Sequence, residues 1–329
     1  MKTKWIVLLV SLLTFEQHFG QYTDVINSNR PGESMSAFAV GKTVIQLESG
    51  INYLNEKHAI LDYTANGFGM DFNVRYGFFK EQLEAIVELN YQNDTFKNNV
   101  NETTRSGLKS TVVGFKYLVY DPFKNYEEKV NIYSWKANHR FKWRQLIPAV
   151  SVYAGANLNF SENQFLFNNE ISKSISPKAM LITQHIFPNA FVFVTNIFID
   201  KVTTNNQSIG YVMTLTKGFN AKWSGFLENK AIKGDFYADG IGTIGAAYLI
   251  NKNLQVDASF SKNYKDTPSL TYGGIGVSWR SDARYEDVII RAKDKSKASD
   301  KDKSKKKDKE KDKKKKRLDE VELEKTKPE

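Results

Sequence analysis

Charged side chains punctuate apolar runs of this chain at alternating positions. Glu48, Asp71, Arg75, Glu84, Glu88, Lys116 and Asp257 are the clearest cases, and Glu228 and Lys230 repeat the pattern. Acids and bases gathered on one face can do two kinds of work. They can pair into a buried network of ion pairs and hydrogen bonds, since a charge taken out of water must be paired or kept wet. They can also ring an aqueous passage and filter solutes by charge. The residues alone leave both open.

Catalytic and metal chemistry finds little to use. Cysteine is absent, which excludes disulfide frameworks, thiolate zinc and iron-sulfur sites, cysteine nucleophiles and a lipid-acceptor cysteine. The four histidines, His18, His58, His139 and His185, show no metal-ligand or nucleophile-base spacing, and no glycine-rich phosphate cradle follows a strand. The expectation is a protein with no catalytic residues, no metal and no cofactor.

The charged residues lie on elements with a period of two. Leu83, Ala85, Val87, Leu89 and Tyr91 share one face, and Glu84, Glu88 and Asn90 the other. Met70, Phe72, Val74, Tyr76 and Phe78 alternate with Asp71, Asn73, Arg75 and Gly77 in the same way. About twelve such strands follow one another, over residues 43–54, 69–79, 82–92, 108–120, 148–160, 178–187, 190–200, 208–217, 222–232, 240–250, 254–263 and 270–280. Most are longer than the ~5–6 residues usual in soluble sheets and match the ~9–11 that a tilted strand needs to cross a bilayer. Alternation by itself does not say which face meets solvent, so a soluble sandwich or barrel competes. Strand length, aromatics near strand ends (Tyr53, Tyr76, Tyr117, Tyr120, Trp279) and the amino terminus favour a membrane barrel.

That terminus reads as an export signal over residues 1–20. Lys2 and Lys4 precede an apolar core over residues 5–15, and Gly20 supplies a small residue at the cut. A polar lead segment over residues 21–42 comes next. Arg30, beside Pro31 and Gly32, is placed to fold back into the lumen as a plug, pairing with acids such as Glu84 or Glu88. The competing reading is a flexible leader.

The links between strands suggest an orientation. Short links alternate with polar stretches over residues 93–107, 161–177 and 233–239, which are expected to be outside loops, with both termini in the periplasm. One link breaks the rule: residues 121–147 carry Trp135, Trp143, Lys136, Arg140, Lys142 and Arg144 and read as a periplasmic or interfacial amphipathic excursion, helical in part.

The net charge of +10 is lopsided. Residues 291–329 hold 18 Lys and Arg against 11 Asp and Glu, so the barrel is nearly balanced and the high pI describes the tail. Residues 281–329 form a charged segment expected to be disordered and periplasmic, too polar to bury a core. Its basic part is suited to anionic lipid, the peptidoglycan wall or an acidic partner. Nucleic acid is not an expected partner of an exported chain.

Three stretches resemble a known family: DVINSNRPG with SAFAVGKTVIQLESGINY after it (residues 24–32 and 36–53), SWKANHRFKWRQLIPAVSVYAG (134–155) and LQVDASFSKNYKDTPSLTYGGIGVSWR (254–280). They are similar to bacteroidete outer-membrane proteins of the transporter family named after the meta-pathway of phenol degradation. The resemblance implies a monomeric outer-membrane barrel with a role in small-molecule passage; the tail lies outside the family pattern.

The expectation is therefore an all-β transmembrane antiparallel barrel over residues 43–280 in the bacterial outer membrane, acting as a passive pore or transporter for small solutes. The alternative is a non-enzymatic accessory subunit of an assembly or secretion machine, engaging partners through the excursion and the tail.

Overall fold

The computed structural model describes residues 25–124, 133–134, 143–159, 165, 175–187, 190–235 and 237–281. Twelve strands run β1 (Ile45–His58), β2 (Tyr63–Gly77), β3 (Leu83–Asn98), β4 (Glu102–Tyr120), β5 (Ala149–Leu158), β6 (Ile175–Phe187), β7 (Phe191–Asp200), β8 (Ser208–Gly218), β9 (Trp223–Gly234), β10 (Ala238–Asn251), β11 (Leu254–Asn263) and β12 (Ser269–Arg280). Each pairs antiparallel with the next, and β12 returns to β1, closing the sheet. Closure leaves no strand edge unpaired, the condition a sheet must meet in hydrocarbon.

Because successive side chains point to opposite faces, the alternating pattern sorts residues into an outer and an inner set. The outer set is apolar: Ile275 is 68% exposed, Leu227 57% and Phe115 52%. The inner set is ionic, yet Glu48, Glu84 and Lys116 are 0% exposed and Arg75 1%. A water-soluble sandwich would have the opposite sorting, with the oily faces buried against each other. The exposed apolar band and the enclosed charges make this an outer-membrane type of barrel. Aromatics collect toward strand ends, as where Trp223 packs on Tyr248 with ring centroids 4.8 Å apart.

Two expectations about the connections change. Residues 93–107 are not a loop. β3 and β4 run on as a paired ribbon to a three-residue turn at 99–101, with Asp94 opposite Arg105 (2.7 Å) and Lys97 opposite Glu102 (3.6 Å). At ~3.4 Å per residue, the 19-residue β4 is far longer than the ~25 Å apolar band requires. Its outer portion has no lipid to face, so it needs no oily stripe and carries no period-two signal. Residues 233–239 likewise shorten: β9 runs to Gly234 and β10 starts at Ala238, and Gly234 donates its N–H to the Tyr237 carbonyl (2.8 Å). For residues 161–177, β6 already begins at Ile175, and most of the rest lies outside the described residues.

Within the excursion expected at 121–147 and helical in part, Trp143–Leu146 forms one 3-10 turn, and residues 125–132 and 135–142 lie outside the described residues. So do the export signal, the first residues of the lead segment and the charged tail beyond Ser281. Both ends of the strand circuit meet at one rim, where Ser281 donates its N–H to the Ile45 carbonyl (2.8 Å). We call this rim the near end.

Candidate functional site

Residues 25–44 run inside the barrel. Ile26 donates its N–H to the Lys252 carbonyl (2.8 Å) at the near end, the chain climbs to mid-barrel around Arg30 to Ser34, and it descends to Thr43, whose N–H reaches the Gly77 carbonyl (2.8 Å). Serines, asparagines, Pro31 and Gly32 dominate its first half and offer no alternating face with which to join the sheet. Its backbone groups therefore need side-chain partners, because buried N–H and C=O groups are costly when unmet.

The wall supplies those partners strand by strand. Glu48 accepts from the Asn29 N–H (3.2 Å), Gln184 from Ala37 N–H (2.9 Å) and Glu84 from Val40 N–H (2.8 Å). Asn196 bonds Met35 twice, accepting from its N–H (2.7 Å) and donating to its carbonyl (3.0 Å). Ser151 donates to the Ala37 carbonyl (2.6 Å), and the Lys116 ammonium donates to the carbonyls of Ser36 (2.6 Å) and Phe38 (3.0 Å). Met35, Ala37 and Phe38 add an apolar contact with Ile86, Leu118, Ala149, Ile182 and Val194 on the inner wall.

Arg30 marks the most specific contact. Its guanidinium forms an ion pair with Asp71 and another with Asp257 (3.2 Å). Strand register explains the fit: Asp71 on β2 is opposite Gly50 on β1, Gly50 is opposite Gly276 on β12, and Gly276 is opposite Asp257 on β11. One row across four strands thus reads acid, glycine, glycine, acid. The guanidinium lies against both glycines, where a Cβ at either position would collide with it. Arg30 was expected to meet Glu84 or Glu88, and it meets neither. Glu84 is already held by Lys116 (2.7 Å) and Arg75 (3.2 Å), and Glu88 by Lys178 (3.3 Å).

Glu48, Arg75, Glu84 and Lys116 form a second cluster beneath the segment. Arg75 bridges Glu48 (3.3 Å) and Glu84 and also donates to the Asn27 carbonyl (2.9 Å). With Lys116, two cations face two carboxylates, so this buried group is neutral in sum, which limits its desolvation cost. Asp71 and Asp257 belong to the Arg30 row, and Glu88 stands apart nearer the far rim.

At the apex, Glu228 accepts from the N–H groups of Glu33 (3.0 Å) and Ser34 (3.3 Å) and from the Thr214 hydroxyl (2.7 Å). Gly32 lets the carboxylate come this close; a Cβ there would sit 2.5 Å from it. Glu33 in turn pairs with Lys230 and accepts from the Tyr272 hydroxyl (3.1 Å).

The segment does not fill the near half evenly. A cavity of about 250 Å³ remains between residues 26–36 and the inner faces of β6 to β11. Its lining mixes polar side chains such as Asn27, Asn29, Gln184 and Gln255 with the apolar Val192, Val194 and Phe226. Among the described residues, no group of three His, Asp or Glu side chains could hold a metal ion.

Neutral partners escaped the sequence reading. Gln184, Asn196, Ser151 and Ser278 all point inward and bond to the segment or to its neighbours. The available signal was a lone amide inside an apolar strand, as Asn196 is within FVFVTNIFID.

Comparison with known proteins supports the architecture. An outer-membrane channel from Pseudomonas putida F1 superposes with a TM-score of 0.50 at 8% identity, covering 77% of this chain and 100% of that chain. The translocator domain of the autotransporter NalP from Neisseria meningitidis gives 0.44 at 10% identity, covering 73% and 89%. No curated protein matches in sequence. A family model spans residues 28–281, taking in Arg30, most of the internal segment and every strand, and the chain belongs to that family, described as "Putative MetA-pathway of phenol degradation".

Proposed function

We propose that the protein is a passive outer-membrane pore for small solutes whose near half is occupied by its own residues 25–44. The observation that carries this reading is the internal segment itself, seated in a closed, polar-lined barrel yet leaving a cavity of about 250 Å³ along β6 to β11. A barrel serving only as an anchor needs no such cavity beside a polar segment. The decisive experiment is conductance in planar lipid bilayers. Full-length protein should pass small, infrequent currents, and protein lacking residues 21–41 should pass larger, steady ones. Equal conductance would overturn the plug.

We assign the near end to the periplasm: an even strand number puts both termini on one side, and in outer-membrane barrels of this type that side is the periplasm. Residues 281–329 then extend into the periplasm, with lysines suited to anionic lipid or to the peptidoglycan wall. The charge of this segment also supports a second reading, an accessory subunit of an outer-membrane machine. Co-purification of a periplasmic or outer-membrane partner, lost on deleting residues 290–329, would favour it. We assign no enzymatic activity.

A further inference from the structure

We propose that the lumen wall carries a binding site for a planar cation of the guanidinium class, a site that Arg30 of the same chain fills. Its parts belong to the wall rather than to the segment. Asp71 and Asp257 are set about 14 Å apart at their backbones, three strand spacings, with Gly50 and Gly276 as a flat floor between them. The glycine pair leaves room for a flat group to lie against the sheet, and the flanking carboxylates meet its two edges. Guanidinium presents planar, forked N–H donors that suit this geometry, whereas an ammonium is a compact point charge that cannot span it. The Asp257 side chain is fully buried, and its Oδ2 has no hydrogen-bond partner among the described residues. One acceptor is therefore spare, and a small ligand free of the chain could approach it at an angle Arg30 does not reach.

With the pore reading above, the same site gives solute recognition. A solute bearing a guanidinium or amidinium group would compete with Arg30 for the row and loosen the segment. That second step rests on the pore reading; binding at the row does not.

Vacating the site tests it. Arg30→Gly protein in detergent is titrated with methylguanidinium, and binding is read by saturation transfer to the methyl protons. The Arg30→Gly barrel should show binding, methylammonium should bind about tenfold more weakly, native protein should show a much weaker signal because Arg30 competes for the row, and Asp71→Asn with Asp257→Asn should abolish the signal. Equal signals from native and Arg30→Gly protein, survival of the signal after both Asp→Asn changes, or equal binding of the two cations would each overturn the site. Protein lacking residues 21–41 vacates the row by another route and is measured in the same way. If neither barrel folds, refolding yield with methylguanidinium in the buffer is compared with methylammonium. Selective recovery supports the site, and equal yields overturn it. The pore reading fails separately, through conductance, which none of these measurements uses.

Discussion

Gly50 and Gly276 are register partners across the seam where β12 closes on β1, and together they form the surface on which the Arg30 guanidinium rests. Two residues with no side chain thus decide where a charged one can go. Alanine suits a strand better than glycine does, so Gly276→Ala should leave the sheet intact. Its Cβ would collide with the guanidinium and push the segment from its place. We expect a folded barrel with raised bilayer conductance. Gly273→Ala is the control: on the same strand, its Cβ would meet its nearest neighbour at an ordinary 3.4 Å, and conductance should not change.

The buried charge cluster predicts a stability effect. Replacing Arg75 with Met removes the cation that serves both Glu48 and Glu84, and breaking a buried pair from one side costs ~3–5 kcal/mol. Equilibrium unfolding in urea with lipid vesicles should show a loss of this order. Lys97→Met, which removes an exposed partner of Glu102, should shift the midpoint hardly at all. Similar losses in the two variants would contradict the closed, low-dielectric interior.

The sequence disclosed the barrel in detail because lipid imposes a rule on every second residue. All twelve strands were legible, and β11 (Leu254–Asn263) matches residue for residue. The boundaries slip where that rule stops applying. β3 and β4 continue past the lipid band through Asn93, Thr95, Thr103 and Thr104, which face water on one side and a polar lumen on the other. Alternation alone singles out seven charges as lumen candidates, and the structure groups six of them into the two clusters. Their pairing was not legible. Which acid receives Arg30 depends on the register of four strands, two from each end of the chain, and no local spacing encodes that row.

The ribbon beyond the membrane offers a test of its own. Asp94 and Arg105 meet through two hydrogen bonds (2.7 and 2.8 Å), and the Arg105 guanidinium lies 4.7 Å from the Phe96 ring centre. This pair joins β3 to β4 on the far side of the barrel from the internal segment. Arg105→Ala should make the turn at 99–101 more readily cut by added protease and leave single-channel conductance unchanged. A change in conductance would mean that the ribbon, and not the internal segment, limits passage.

Glu228 bears on how the segment is released. Its carboxylate serves the two N–H groups at the apex as well as Thr214, and the adjoining Phe226 and Thr214 line the cavity. Glu228→Ala therefore removes the apex acceptors while leaving Arg30 on its row and Asn196 on Met35. Stranded buried donors cost ~1–3 kcal/mol. The apex should then open in brief bursts, because the other anchors persist and reclose it. Arg30→Ala should instead lengthen the open state, and the double variant should approach the steady conductance of the chain lacking residues 21–41. Because the native chain has no cysteine, a single Ser34→Cys gives an independent reading of the same event. Its labelling by a membrane-impermeant maleimide should rise in the order native, Glu228→Ala, Arg30→Ala, double variant. If labelling rises while conductance does not, the segment moves without limiting flow, and the cavity along β6 to β11 is the permanent path.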